Sequence, residues 1–202
     1  MGYGEGRERN EFTNFFEGFL YGPRIDPLWD DRTDTPDLER LDRRIQVVQS
    51  FLGPAGADLL DLREGLALGM GRQEYELNAF FALREISSFY MEFDSPAQFY
   101  HGYTGRDQMK VALRWLDSNT VIGLYYFAPP NRQGADHYAM LEGVNPRTGQ
   151  LYFDEYDGPS RTAEVFLKKQ LSNDTVSWQG TRRGSDGRSE RFSIWRHLRH
   201  GY

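Results

Sequence analysis

An imidazole and a carboxylate able to share a proton stand on two adjoining stretches of this chain. His137 follows a loop containing Pro129, Pro130 and Gly134, and Asp154 lies 17 residues further on. The segment Asn145-Pro146-Arg147-Thr148-Gly149 has turn composition, so strands over 137–144 and 150–156 bring the carboxylate back beside the imidazole. Such a pair suits general acid–base work, with histidine moving the proton and the carboxylate fixing its tautomer. Alternation places Asp154 with Tyr152 and Tyr156, opposite Leu151 and Phe153. Glu155 competes for the acid's role. Upstream, the Gln73 amide is able to donate to an oxyanion. Asn78 is a good N-cap for a helix over 78–93 that carries Leu83, Ile86 and Tyr90 on one face.

Other chemistries are poorly provided for. The chain has no cysteine, which excludes disulfides, Cys-ligated zinc and a thiol nucleophile in the sequence as it stands. Asp136, His137 and Asp154 lack a second histidine at ligand spacing, so neither a metal nor another cofactor is expected. Gly69 and Gly71 precede no strand-to-helix phosphate loop. His101 sits in a Gly/Tyr stretch and reads as structural. His197 and His200 belong to a basic tail and read as solvent-facing.

Residues 73–83, together with the span from His137 to Gly158, resemble papain-like cysteine hydrolases, and in particular papain-fold toxin and effector domains of bacteria. In that family a glutamine precedes the nucleophilic cysteine by about six residues, and the cysteine opens the central helix. By this resemblance Gln73 is the oxyanion donor, Ala79 occupies the position of the nucleophile, His137 is the base and Asp154 the orienting acid. The implied fold is α+β: a helical N-terminal part whose active-site helix packs on an antiparallel sheet. The implied activity is thiol hydrolysis of a protein substrate, as a glutamine deamidase or a peptidase, inactivated by alanine at position 79. The alternative is a papain-fold pseudoenzyme that binds a protein without turnover. Implied partners are the protein substrate and a cognate inhibitor or immunity protein. The implied setting is a secreted or injected bacterial effector acting in a target-cell cytoplasm.

The elements that must position these residues follow from pattern. Residues 1–36 read as a linker or extension containing a short helix over 11–21. A helix over 36–52 follows, with Thr35 as N-cap and Pro36 at its first position, and another covers 57–68. Met109, Ala112, Leu113 and Leu116 predict a helix over 106–117. The apolar run 120–127 predicts a buried strand. A helix over 161–171 and strands over 175–181 and 191–198 complete a catalytic domain of 37–202, helical to 119 and sheet from 120. Composition supports a packed core, with 39% hydrophobic and 15% aromatic residues. Residues 181–202 hold six arginines against Asp186 and Glu190 in a chain of net charge -6. That tail reads as a solvated edge or a contact with the acidic body, and nucleic acid is not the expected partner. No apolar run is long enough to span a membrane, and the first residues lack the pattern of a secretory signal.

Overall fold

The computed structural model describes residues 3–21, 28–90, 97–127, 138–144 and 149–198. They form two compact units, one of helices up to residue 90 and one of strands from residue 98.

The helical unit contains α1 (Tyr3–Leu20), a small hairpin of β1 (Trp29–Asp30) and β2 (Thr35–Pro36), α2 (Leu38–Leu52), a 3-10 segment (Gly53–Leu59), α3 (Leu60–Ala67) and α4 (Arg72–Tyr90). Phe12, Phe15, Phe16 and Phe19 recur at helical spacing and all are buried. Phe16 packs on Phe12 at 4.7 Å and on Phe51 of α2 at 6.1 Å between ring centroids. Leu41, Ile45, Val48 and Leu52 complete the α2 side of this core. Burying each such side chain contributes about 1.5–3 kcal/mol. Two polar groups fasten the helix ends. The buried Arg44 guanidinium donates to the Phe19 carbonyl at 2.8 Å, and the Tyr75 hydroxyl donates to the Leu20 carbonyl at 3.0 Å. The cap of α2 is Asp37, not Thr35: its Oδ1 accepts from the Arg40 N–H at 3.0 Å, while Thr35 and Pro36 pair with Asp30 and Trp29 in the hairpin.

The second unit is a closed antiparallel barrel of eight strands. In chain order these are β3 (Gln98–Thr104), β4 (Asp107–Trp115), β5 (Thr120–Phe127), β6 (Tyr138–Val144), β7 (Gln150–Asp157), β8 (Ser160–Leu171), β9 (Thr175–Gly184) and β10 (Ser189–His197). Each pairs with the next, and β10 pairs back on β3 with Phe192 opposite Thr104 and Trp195 opposite His101. The interior is filled by Met109, Val111, Leu113, Leu141, Leu151, Phe153, Val165, Leu167, Phe192 and Ile194, among others. Eight strands enclose a space about wide enough for side chains to fill.

This barrel overturns the expected papain-like α+β fold, in which a central helix packs on an open sheet. Two segments read as helices are strands. In β4 the fully buried Met109, Val111 and Leu113 recur every second residue, and in β8 Ala163, Val165 and Leu167 do the same. Both segments also satisfy a helical spacing, and pairing with strands on either side decides between the two periods. The sheet therefore begins at residue 98 and not at 120. The strands expected over 120–127, 150–156, 175–181 and 191–198 are present.

None of the described helices is long and apolar enough to cross a membrane. On the barrel, outward positions of β8 to β10 include Glu164, Lys168, Gln179, Arg183 and Arg191, while the buried inward residues Val165, Leu167, Val176, Trp178, Phe192 and Ile194 are apolar. A membrane barrel carries the reverse alternation, with its apolar side chains outward.

One interior position has no room for a side chain. A Cβ on Gly180 would lie 1.8 Å from the Phe166 carbonyl oxygen of β8, so any substitution must push the two strands apart. Gly180→Ala is expected to lower stability by about 1–3 kcal/mol, measured as a reduced urea midpoint with an unchanged slope.

Candidate functional site

The structure distributes the expected site residues over different environments. α4 begins at Arg72, so Ala79 lies inside the helix and not at its N-terminus. Ala79 is fully buried on the face that carries Tyr75, Leu83 and Ile86. The helix dipole that would lower a thiol pKa acts on the first turn, where Gln73 is exposed to solvent. Asn78 is likewise a helix-interior residue and not a cap. Asp154 is on the outer face of β7, where Arg161 donates to it through Nε at 2.7 Å and through Nη2, and the Tyr152 hydroxyl adds a bond of 2.9 Å. Its outward phase agrees with the sequence reading. Glu155 turns inward and is 3% exposed. His137 lies outside the described residues. Gln73 and Ala79 belong to the helical unit, and Asp154 and Glu155 to the barrel.

Polar side chains enter the barrel interior at two levels. The first is built on Glu155. Its carboxylate accepts from the Tyr125 hydroxyl at 2.8 Å, from Thr162 Oγ1 at 2.7 Å, and from Arg182 Nε and Nη2 at 2.8 and 2.7 Å. Arg182 Nη1 reaches Glu190 at 3.0 Å, and Thr104 Oγ1 donates to the same glutamate oxygen at 2.8 Å. A β-bulge makes this possible. Between β7 and β8 the register shifts after Glu155, which leaves Thr162 as the extra residue and turns its hydroxyl toward the carboxylate. Burial alone would raise the Glu155 pKa. The bonds and charge of Arg182, then Thr162 and Tyr125, outweigh it and hold the carboxyl below its ordinary value. Burial and the neighbouring Glu155 charge push the Tyr125 phenol well above its ordinary value. Every member of this cluster is bonded to another member, so it works as a cross-brace between β3, β5, β7, β8, β9 and β10.

The second level has the opposite character. Tyr100 is buried, and its hydroxyl donates to Gln98 Oε1 at 2.8 Å. The Arg196 guanidinium lies 5.7 Å from the centre of the Tyr100 ring. The Lys169 ammonium lies 5.6 Å from the centre of the Trp178 ring. Trp178 is 4% exposed. Trp178 Nε1 and Arg196 Nε are both buried, and among the described residues neither has a hydrogen-bond partner. Burial raises the Tyr100 pKa, opposed by the Arg196 charge and by the nearby N–H groups of Trp178 and Arg196. Those N–H groups are close enough to favour a charged Tyr100 oxygen, yet neither is aligned to bond it. A buried donor without an acceptor costs about 1–3 kcal/mol. Two such donors stand beside the Tyr100 hydroxyl.

Sequence reasoning missed Tyr100, Trp178, Arg182 and Arg196. The signal was present as alternation: Arg182 shares its phase with Val176 and Trp178, and Arg196 shares its phase with Phe192 and Ile194. His101, read as a loop residue, is an exposed residue of β3. No protein-family model, curated protein or solved structure matches the chain.

Two expectations follow. Ala79→Cys places a thiol in the α4 core, so a thiol reagent should label it at the rate of unfolding and not within the mixing time; prompt labelling under native conditions would contradict the burial. Arg182→Met strands the buried Glu155 charge and should cost about 3–5 kcal/mol. Because Glu155 is depressed in the fold, its contribution is complete above its ordinary value of 4.5 and is lost as pH falls through the folded value. Glu155→Gln should therefore flatten the decline of melting temperature in acid, as read by circular dichroism between about pH 5 and pH 3.

Proposed function

We propose that the barrel is a binding module for a small organic carboxylate, held where Tyr100, Trp178 and Arg196 converge. The observation that carries this reading is the pair of buried donors, Trp178 Nε1 and Arg196 Nε, without acceptors. An oxyanion satisfies both at once, and the cationic guanidinium strengthens its bond. Lys169 adds a second positive charge on the Trp178 side. The filled interior limits what enters. With Val111, Leu113, Leu141, Leu151 and Phe153 packed in the barrel core, little space is left for a long acyl chain, so the ligand is a short or aromatic acid whose body rests against Trp178 and Tyr100. Trp115 and Leu198 also pack against the barrel core and extend the apolar lining.

Thermal unfolding with benzoate, acetate and neutral benzamide tests the proposal. Ligand at about 100-fold over its Kd adds about 2.7 kcal/mol, or about 5–10 °C in Tm for a chain of this size. Benzoate should raise Tm, benzamide should do so much less, and Arg196→Leu should remove the effect. If no carboxylate raises Tm, or if Arg196→Leu responds like the parent, the donors are satisfied by solvent and the proposal fails.

A further inference from the structure

The outer face of the barrel carries a second feature, independent of the interior. Registers across β4, β3, β10 and β9 align outward residues in rows. One row runs Lys110, His101, Trp195, Ser177, and the next runs Gln108, Tyr103, Ser193, Gln179. Arg191 and Thr181 follow in a third. On β8, Lys168 lies beside Gln179 and continues the second row. Among the described residues, these rows contain no carboxylate, although the chain holds 30 acidic residues and a net charge of -6. Glu190 of β10 faces inward to Arg182. Glu164, opposite Arg183 at the edge of the face, is engaged by Arg161. The aromatic members are accessible. Tyr103 is 42% exposed, His101 is exposed and Trp195 is half-buried. The Tyr103 and Trp195 rings stack with centroids 5.6 Å apart at 20°, and His101 lies 6.3 Å from Trp195. Among the described residues, the Arg191 guanidinium has one long contact, of 3.4 Å to Gln179.

Cations spaced around flat rings, with amides and hydroxyls between them, fit one kind of polymer. A chain of phosphates carrying unpaired bases uses both: phosphates meet the cations, and bases stack on the rings. We propose that the face formed by β4, β3, β10 and β9 binds single-stranded nucleic acid, with Tyr103 and Trp195 stacking on bases and Lys110 and Arg191 meeting phosphates. Four strands at about 4.8 Å spacing give a platform of about 14 Å, so contact is limited to a few nucleotides and the affinity is modest. Duplex ends and grooves do not offer unpaired base faces to such a convex sheet, so duplex binding is weak.

Fluorescence anisotropy of a labelled oligo(dT) of about 12 nucleotides, with the full chain, tests this. Binding should weaken steeply between about 50 and about 200 mM salt. Trp195→Ala and Tyr103→Ala should each weaken it by about 5- to 100-fold at low salt, with unchanged far-ultraviolet circular dichroism. Arg191→Gln and Lys110→Gln should weaken it and reduce the salt slope. Arg196→Leu, on the opposite phase of β10 from Trp195, should leave it intact, so this result and the carboxylate test stand or fall separately. Absence of binding at low salt overturns the proposal. So does binding that survives both aromatic substitutions, or heparin and duplex DNA binding as well as the oligonucleotide, because charge alone would then explain it.

Discussion

Closure of the barrel by β10 on β3 is the constraint from which the remaining features follow. The pairing of Phe192 with Thr104 and of Trp195 with His101 removes the two free edges that a meander of eight strands would otherwise present. It also forces every strand into one phase. A residue on β9 or β10 is committed to the interior or to the outer face, because slipping by one position would exchange the whole set. Ile194 opposite Trp178 and Gly102, and Arg196 opposite Val176, are consequences of that commitment. Gly180 shows how tight the fit is, since its Cα position lies against the Phe166 carbonyl with no space between the strands for a methyl group.

Once the interior is filled, polar groups that enter it must either satisfy each other or wait for something else. The Glu155 level takes the first course. Four donors surround one carboxylate, and the arginine that supplies two of them is itself shared with Glu190. A buried ion pair of this kind is expensive to break and adds little over a well-packed apolar substitute. Its physical role is to fix the relation of distant strands, and it leaves no unused capacity for a ligand. The Tyr100 level takes the second course. Its one acceptor with a clear partner, Gln98 Oε1, is already used by the Tyr100 hydroxyl, while two donors are left over. The difference in satisfaction, more than any difference in residue type, separates the brace from the candidate site.

Much of the local structure was legible in the sequence. The phenylalanines of α1, the apolar positions of α2 and the run 120–127 announce buried elements through their spacing. The turn composition of 145–149 implies a hairpin whose phase sets Asp154 opposite Leu151 and Phe153, whereas nothing in the sequence marked Glu155 as the interior carboxylate. The global fold was not legible, for an identifiable reason. Met109, Ala112 and Leu113 fit a helix, Met109, Val111 and Leu113 fit a strand, and both patterns coexist because Ala112 is buried too. Only pairing with β3 on one side and β5 on the other decides between them, and a single-segment period does not carry that information. The expected helix start at Asn78 differs from the observed one for a related reason. Asn78 is a good cap by type, but Arg72 to Leu77 continue the same helix, supported by the Tyr75 hydroxyl on Leu20 and by the Arg72–Glu76 pair at 3.1 Å. Capping preference contributes about 1 kcal/mol, and burial of Tyr75 outweighs it.

The basic tail shows what phase adds to composition. As a count, six arginines over 181–202 suggest a solvated edge and nothing more. Strand phase sorts them into different physical groups. Arg182 enters the interior and neutralises Glu155. Arg196 enters it and finds no partner for Nε among the described residues. Arg183 and Arg191 point outward, and Arg188 occupies the β9–β10 turn with Asp186. Trp195 and Arg196 are adjacent in sequence yet stand on opposite sides of one sheet, the first against Tyr103 in solvent and the second over Tyr100 in the core. A β-strand separates them electrostatically and sterically by the thickness of the sheet, so an acid held inside and a polymer held outside would not compete for the same atoms. Two consecutive residues can therefore serve two surfaces, and the closed register keeps those surfaces distinct.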